Sequence, residues 1–295
     1  MLMVGASMAL VPSWSSDAVA AETSAGRIVF ESDPHGHRDI WIMDADGTNA
    51  EALTGDRADD VFPVWSPDGS RIAWSRGDKG VYEIWVMNAD GSGKVQITFD
   101  GVRSRVPTWS PDGERIAFGR SGDLWVMDAD GSDQQQLTSG PNLDFGPRWS
   151  PVDDRIAFFS DRNGGSAIYT VRSDGTQIAQ KTPDALNAGA PGWSPDGEQL
   201  SFSDNFCATC TVESDLYIMD VDGSNLRQLT DTEPENEGGD SWSPDGSHIV
   251  IDVPKFYGNH LRKADIAAIA VDGGNAGYLT QTLNIDEQHP DWSPT

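Results

Sequence analysis

The stretch "WSPDGSRIAW", Trp65 to Trp74, decides the fold because the chain repeats it. It returns as "WSPDGERIAF" from Trp109 and as "WSPVDDRIAF" from Trp149; WSPDG starts again at Trp193 and Trp242, and a cut-short "WSPT" starts at Trp292. A second phrase keeps step with the first: "MDADG" at Met43, "MNADG" at Met87, "MDADG" at Met127, "VRSDG" at Val171, "MDVDG" at Met219 and "IAVDG" at Ile269. A third follows, closing on Thr54, Thr98, Thr138, Thr182, Thr230 and Thr280 in "ALT", "QIT", "QLT", "QKT", "QLT" and "YLT". Three markers in one phase, six times over, define six units of 40 to 50 residues. Repeats of that length point to stacked or ring-shaped architectures.

Each unit reads as four short strands. The first ends at the tryptophan, the second and third are apolar ("RIAWSR", "EIWVMN"), and the fourth ends in the threonine phrase. The middle strands lack polar alternation, as strands covered on both faces do. No 3.6-residue period appears after residue 26. Four-stranded units that hide their faces only against one another form propeller blades. The fold expected is an all-β, six-bladed β-propeller with four antiparallel strands per blade. The punctuation agrees: in Ser-Pro-Asp-Gly, proline takes the second turn position and glycine the position that needs positive φ. Asp-Ala-Asp-Gly follows the same logic, so both phrases are hairpin joints. The chain starts its repeats at a second strand ("GRIVFES") and stops after a first ("HPDWSPT"), so the C-terminal strand should complete a blade with Arg27–Glu31, Asp39–Asp44 and Ala50–Thr54. That pairing closes the ring and removes an open edge.

The pattern "WSPDGxxIAF…LWVMDADG…QLT" resembles that of the TolB-type, WD-like β-propeller family, from residue 26 to the end. The resemblance implies a protein-binding propeller outside the cytoplasm. TolB-type proteins are periplasmic and carry an α/β domain ahead of a six-bladed propeller that contacts the lipoprotein Pal. Residues 1–25 are too few to form that domain, so the expectation is a protein-binding propeller rather than a full Tol–Pal role. Similar repeats precede the hydrolase domain of some serine peptidases, but no G-x-S-x-G elbow occurs here.

With 20 basic and 47 acidic residues the chain carries a formal charge of −27. Such a surface repels phosphate backbones, so no nucleic-acid partner is expected, and anionic membranes are disfavoured for the same reason. Residues 1–25 begin with an apolar run, too short to span a bilayer, and pass through Ala18-Val19-Ala20-Ala21. They read as a signal peptide or a disordered N-terminal segment ahead of a propeller at 26–295, which places the protein in the periplasm or outside the cell. The two cysteines, Cys207 and Cys210, form a lone CxxC. It fits a redox pair, half a zinc site or a small disulfide, and without a second CxxC or a βαβ pattern the disulfide reading is preferred. No cofactor or metal is assigned. The "DADG" turns fail the EF-hand spacing, which needs glycine sixth and glutamate twelfth.

Function should sit where the units differ. Counting back from each tryptophan to the start of the inner strands gathers Asp60, Asp144, Glu237 and Glu287, joined by Arg103, Arg105, Asp240 and His289, at the channel mouth opposite the joints. These carboxylates would hold a cation, meet a basic side chain, or simply be hydrated. The loops of the same face carry His35 and His37 in "SDPHGHRD", the CxxC, and His260 with Arg262 in "VPKFYGNHLRKAD", the last a candidate for an anionic partner. Loops on a rigid scaffold are the usual seat of binding. The reading favours a non-catalytic protein or peptide binder of the cell envelope. The alternatives are a polysaccharide lyase or glycosidase at the channel mouth, which would need paired carboxyls at a set separation, and a metal or small-molecule binder.

Overall fold

The joints set the geometry. In each Ser-Pro-Asp-Gly turn the glycine N–H donates back to the serine carbonyl, as in Gly69 to Ser66 at 2.9 Å, and Gly69, Gly113, Gly197 and Gly246 all take positive φ near 70°. The serine hydroxyl then accepts the N–H that opens the next strand, Arg71 to Ser66 at 2.9 Å and Arg115 to Ser110 at 2.9 Å. Proline, aspartate and glycine thus turn the chain through a hairpin while the serine locks the exit.

The computed structural model describes residues 14–15, 26–78, 80–204, 214–231, 238–256, 262–274, 276–282 and 285–294. They form six antiparallel sheets around an axis. From the inner to the outer strand, blade 1 is Glu287–Trp292, Arg27–Ser32, Asp39–Asp44 and Glu51–Ala52. Blade 2 is Asp59–Trp65, Arg71–Asp78, Val81–Asn88 and Val95–Gln96. Blade 3 is Ser104–Trp109, Arg115–Arg120, Asp123–Asp128 and Gln135–Gln136. Blade 4 is Asp144–Trp149, Arg155–Ser160, Ala167–Arg172 and Ala179–Gln180. Blade 5 is Gly189–Trp193, Gln199–Ser203, Leu216–Asp220 and Arg227–Gln228. Blade 6 is Gly238–Trp242, His248–Phe256, Arg262–Ala270 and Ala276–Tyr278. Trp14–Ser15 adds a short parallel strand to its outer edge, Trp14 opposite Ala276. Among the described residues the only helix is a single 3₁₀ turn, Asp184–Leu186, and no helix is long and apolar enough to cross a membrane.

The ring closes as the repeat phase required. The C-terminal strand pairs with the first N-terminal one, Ile28 opposite Trp292 and Ser32 opposite Glu287. Ser293 serves as the joint serine across the closure, its hydroxyl accepting the Arg27 N–H at 2.9 Å. Polar groups reinforce the seam: Arg38 bridges Glu31 and Asp286, and Lys263 of blade 6 pairs with Asp33 at 2.9 Å.

Six apolar clusters fill the six blade interfaces. Val29, Ile42 and Trp74 lie between blades 1 and 2, and Phe30, Val250 and Trp292 between blades 6 and 1. Each cluster contains the joint tryptophan of its later blade, for example Trp109 with Ile84 and Phe118. This explains why the middle strands are apolar on both faces.

The outer strands are shorter than the sequence predicts. Blade 1 pairs only Glu51–Ala52 where Ala50–Thr54 was expected. The threonine phrase accounts for the difference. Six times, the threonine hydroxyl accepts the N–H of the third strand fourteen residues earlier: Ile40 to Thr54, Ile84 to Thr98, Leu124 to Thr138, Ile168 to Thr182, Leu216 to Thr230 and Ile266 to Thr280, at 2.8–3.0 Å. A side chain therefore ends the ladder where a fifth backbone pair would stand, and a buried N–H stays satisfied.

Candidate functional site

The two ends of the axis differ in kind. At the joint end the six tryptophans Trp65, Trp109, Trp149, Trp193, Trp242 and Trp292 surround a cavity of about 430 Å³, with the proline two residues beyond each of them at its rim. The tryptophans are 4–8 % exposed. Their outward neighbours brace them: the guanidinium of Arg71 lies 4.4 Å from the Trp109 ring, Arg115 4.9 Å from Trp149 and Arg155 5.2 Å from Trp193. The aspartates of the joints ring the outside. Their carboxylates accept from the flanking serines and are held below the ordinary range; Asp68, bonded to the Ser66 hydroxyl and to Ser70, falls to about 2.

At the opposite mouth every blade contributes something else. Each inner strand carries a bulge three residues before its tryptophan, where Phe62, Val106, Gly146, Ala190 and His289 take positive φ. That conformation is unfavourable for bulky side chains, and it is held by hydrogen bonds from the preceding blade. Glu31 accepts the Phe62 N–H at 2.9 Å, Ser75 the Val106 N–H at 3.1 Å and Asp252 the His289 N–H at 3.3 Å. The Phe62 and His289 rings sit 4.2 Å apart. Arg105 places its guanidinium 4.7 Å from Phe62 and 4.5 Å from Tyr82, between the two rings. Burial and then the charge of Arg103 push the Arg105 guanidinium below its ordinary pKa.

Charges at this mouth are mostly neutralised in pairs. Burial pushes the Asp60 carboxyl up to about 6, against the Trp74 indole N–H (2.7 Å) and Arg76 (3.0 Å). Asp144 pairs with Arg162 at 2.8 Å. Burial alone would raise Glu31, but His289, Arg38 and the Phe62 N–H outweigh it and hold that carboxyl at about 2. Arg120 pairs with Asp100. Among the described residues, Arg105 has no carboxylate partner, and its Nε is buried without a hydrogen bond.

The description "TolB beta propeller domain" matches residues 3–123. TolB from Acinetobacter baumannii superposes with a TM-score of 0.73, at 21% identity, over 92% of this chain and 67% of that one. The chain has the fold of the TolB propellers, and over residues 3–123 its sequence is similar to theirs. An uncharacterized protein of Agrobacterium fabrum is 32% identical over 135 residues, 44% of this chain and 39% of its own length, so the propeller matches well under half of that relative. An oligogalacturonate lyase solved in complex with manganese shares the ring at a TM-score of 0.57 and 14% identity, covering 88% of this chain and 75% of the lyase. At such identities the likeness is one of fold, and fold does not assign chemistry.

Of the site residues read from the sequence, this TolB-like propeller brings His289 and Arg105 together, through Phe62. It keeps Asp60 and Asp144 apart: both are buried at blade interfaces, each taken by an arginine of its own blade. Glu287 is buried opposite Ser32, and Arg103 is exposed on the loop before the blade 3 inner strand. Cys207, Cys210, Glu237 and His260 lie outside the described residues, as do the side chains of Asp240 and Arg262. His37 faces Asp39 at 3.3 Å, and exposed His35 lies 6.2 Å from it, ring to ring. Among the described residues no three His, Cys, Asp or Glu side chains gather as a metal site. Glu31, Phe62 and Tyr82 escaped the sequence reading. Counting three residues back from each tryptophan, to the bulge, finds Phe62 and His289; counting five back finds interface positions.

Proposed function

We propose that this TolB-like propeller is a non-catalytic interaction module acting outside the cytoplasm, and that it holds a protein partner's peptide segment across the mouth built by Phe62, Tyr82, Arg105 and His289. The observation that carries the reading is Arg105. Its neighbours Arg38, Arg76, Arg120 and Arg162 each meet a carboxylate. Arg105 instead lies between two aromatic rings, without a carboxylate partner among the described residues. A partly desolvated cation on an aromatic platform is a good anchor for an acidic side chain, because charge-assisted pairing strengthens where water is excluded. Arginine and tyrosine are also the residue types that dominate binding hot spots. Export is supported by the apolar N-terminal run and by what the TolB-type resemblance implies.

The test is capture from envelope extract by the purified wild-type chain and by Arg105→Ala, with elemental analysis of both preparations. The wild type should retain a partner that the variant loses, with neither holding metal. Equal capture by both proteins would move the contact elsewhere, and a stoichiometric metal in the wild type would favour the metal-binding or catalytic reading.

A further inference from the structure

The cup at the joint end is a second site, independent of the Arg105 mouth. Its size, about 430 Å³, falls within the range of small-ligand pockets, which pair apolar walls with a few placed polar groups. Its walls follow that rule. Besides tryptophan, proline and small residues, a single charged side chain lines it, Arg148, on the strand position just inside the tryptophan ring of blade 4. At the equivalent position of three other blades the side chain is spent on the next blade's backbone: Thr108 accepts the Trp149 N–H at 3.0 Å, Ser241 the Trp292 N–H at 3.1 Å, and Asp291 the Trp65 N–H at 2.8 Å, while Val64 and Gly192 carry no polar side chain. Arg148 has no acceptor in that register. Among the described residues its guanidinium makes no hydrogen bond or ion pair. Asp291, on the opposite side of the six-blade ring, feels its charge but has one oxygen committed to Trp65.

We propose that this cup receives the free C-terminus of a peptide with apolar final residues and basic residues just before them. The carboxylate meets Arg148, the apolar side chains fill the tryptophan–proline walls, and the basic residues meet the joint aspartates Asp68, Asp112, Asp196 and Asp245 outside. Charge complementarity selects this occupant. A purely anionic ligand would have to pass a ring of carboxylates held ionised by their serine hydrogen bonds. A purely cationic one would meet the guanidinium at the floor. A chain end with opposite charges at its two ends, spaced by apolar residues, satisfies both, and a carboxylate on a partly desolvated guanidinium is among the stronger charge-assisted contacts.

The probe is the pentapeptide Lys-Lys-Gly-Leu-Phe, as the free acid and as the C-terminal amide, titrated calorimetrically into the full chain. The free acid should bind about tenfold or more tightly than the amide, as loss of a charged hydrogen bond requires. Arg148→Gln should abolish that preference and Arg148→Lys should keep part of it. Arg105→Ala should leave it unchanged, which separates this site from the one proposed above. Replacing both lysines by glutamate should weaken binding further. Equal binding of acid and amide, an unaltered preference in Arg148→Gln, or no binding of the free acid would each overturn the proposal.

Discussion

The joint end and the mouth opposite it are built from the same six inner strands, yet they are held by different means. At the joint end one solution recurs: tryptophan into the interface and proline at the rim in all six blades, with serine and aspartate closing the turn in four of them. At the other end the bulge residue is Phe62, Val106, Gly146, Ala190 or His289, and its partner in the preceding blade changes with it. Sameness at one end makes the ring, and difference at the other makes it particular. A repeat must keep the contacts by which neighbours recognise each other, while a surface that meets only a partner is free to vary.

The division of labour is broken most severely at the tryptophans. Trp109→Ala empties the interface between blades 2 and 3 and should cost about 3–5 kcal/mol in denaturant unfolding. Phe62→Ala, half-buried at the other mouth, should cost clearly less and show its effect in partner capture. Equal destabilisation by the two would show that the mouth is structural too. A smaller effect sharpens the repeated side: Thr138→Val and Thr98→Val each strand one buried N–H, and each should cost about 1–3 kcal/mol. The cost should be the larger at Thr98, because its hydroxyl also donates to Glu83 while that of Thr138 only accepts the Leu124 N–H.

Much of this was legible in the residues. The three phrases keep phase because they touch. A Cβ at Gly131 of the second phrase would lie 2.1 Å from the carbonyl oxygen of Ile97 in the third phrase of the preceding blade, and one at Gly47 would lie 2.2 Å from that of Leu279. Glycine there is a matter of both close approach and positive φ, and recurring contact leaves a recurring signature. The bulge left none. Its occupants share no side-chain chemistry, and its position is fixed by hydrogen bonds between blades, which no local pattern records. The stack of Arg105 on Phe62 and Tyr82, and the isolation of Arg148 inside the cup, depend on which blade faces which.

Two pH effects separate the seam from the ordinary interfaces. Glu31 is lowered from 4.5 to about 2 in the folded ring. Its contribution is therefore complete above pH 4.5 and lost as pH falls through the folded value. Acid should loosen the closing strand's hold on blade 1 and the blade 1–blade 2 contact within that window, since Glu31 meets His289 and Phe62 there, and Glu31→Gln should flatten the dependence in acid unfolding. The smallest effect lies at Asp60, raised to about 6. Because its folded value is raised, its carboxylate form is penalised as pH climbs from 3.8 through 6, so it opposes stability there. The indole N–H resonance of Trp74, bonded to Asp60, should titrate near pH 6 in the wild type and stay fixed in Asp60→Asn.

Closure by shared termini is what turns six equivalent sheets into a single ring with two distinct ends. Amide hydrogen exchange across Arg27–Ser32 addresses it directly, with the matching strand Arg115–Arg120 of an internal blade as reference. Protection in the two strands should agree to within about tenfold, since each is flanked by paired neighbours. Exchange of the first strand at the rate of a frayed chain end, with the internal strand still protected, would contradict the closure and with it the assignment of the two mouths.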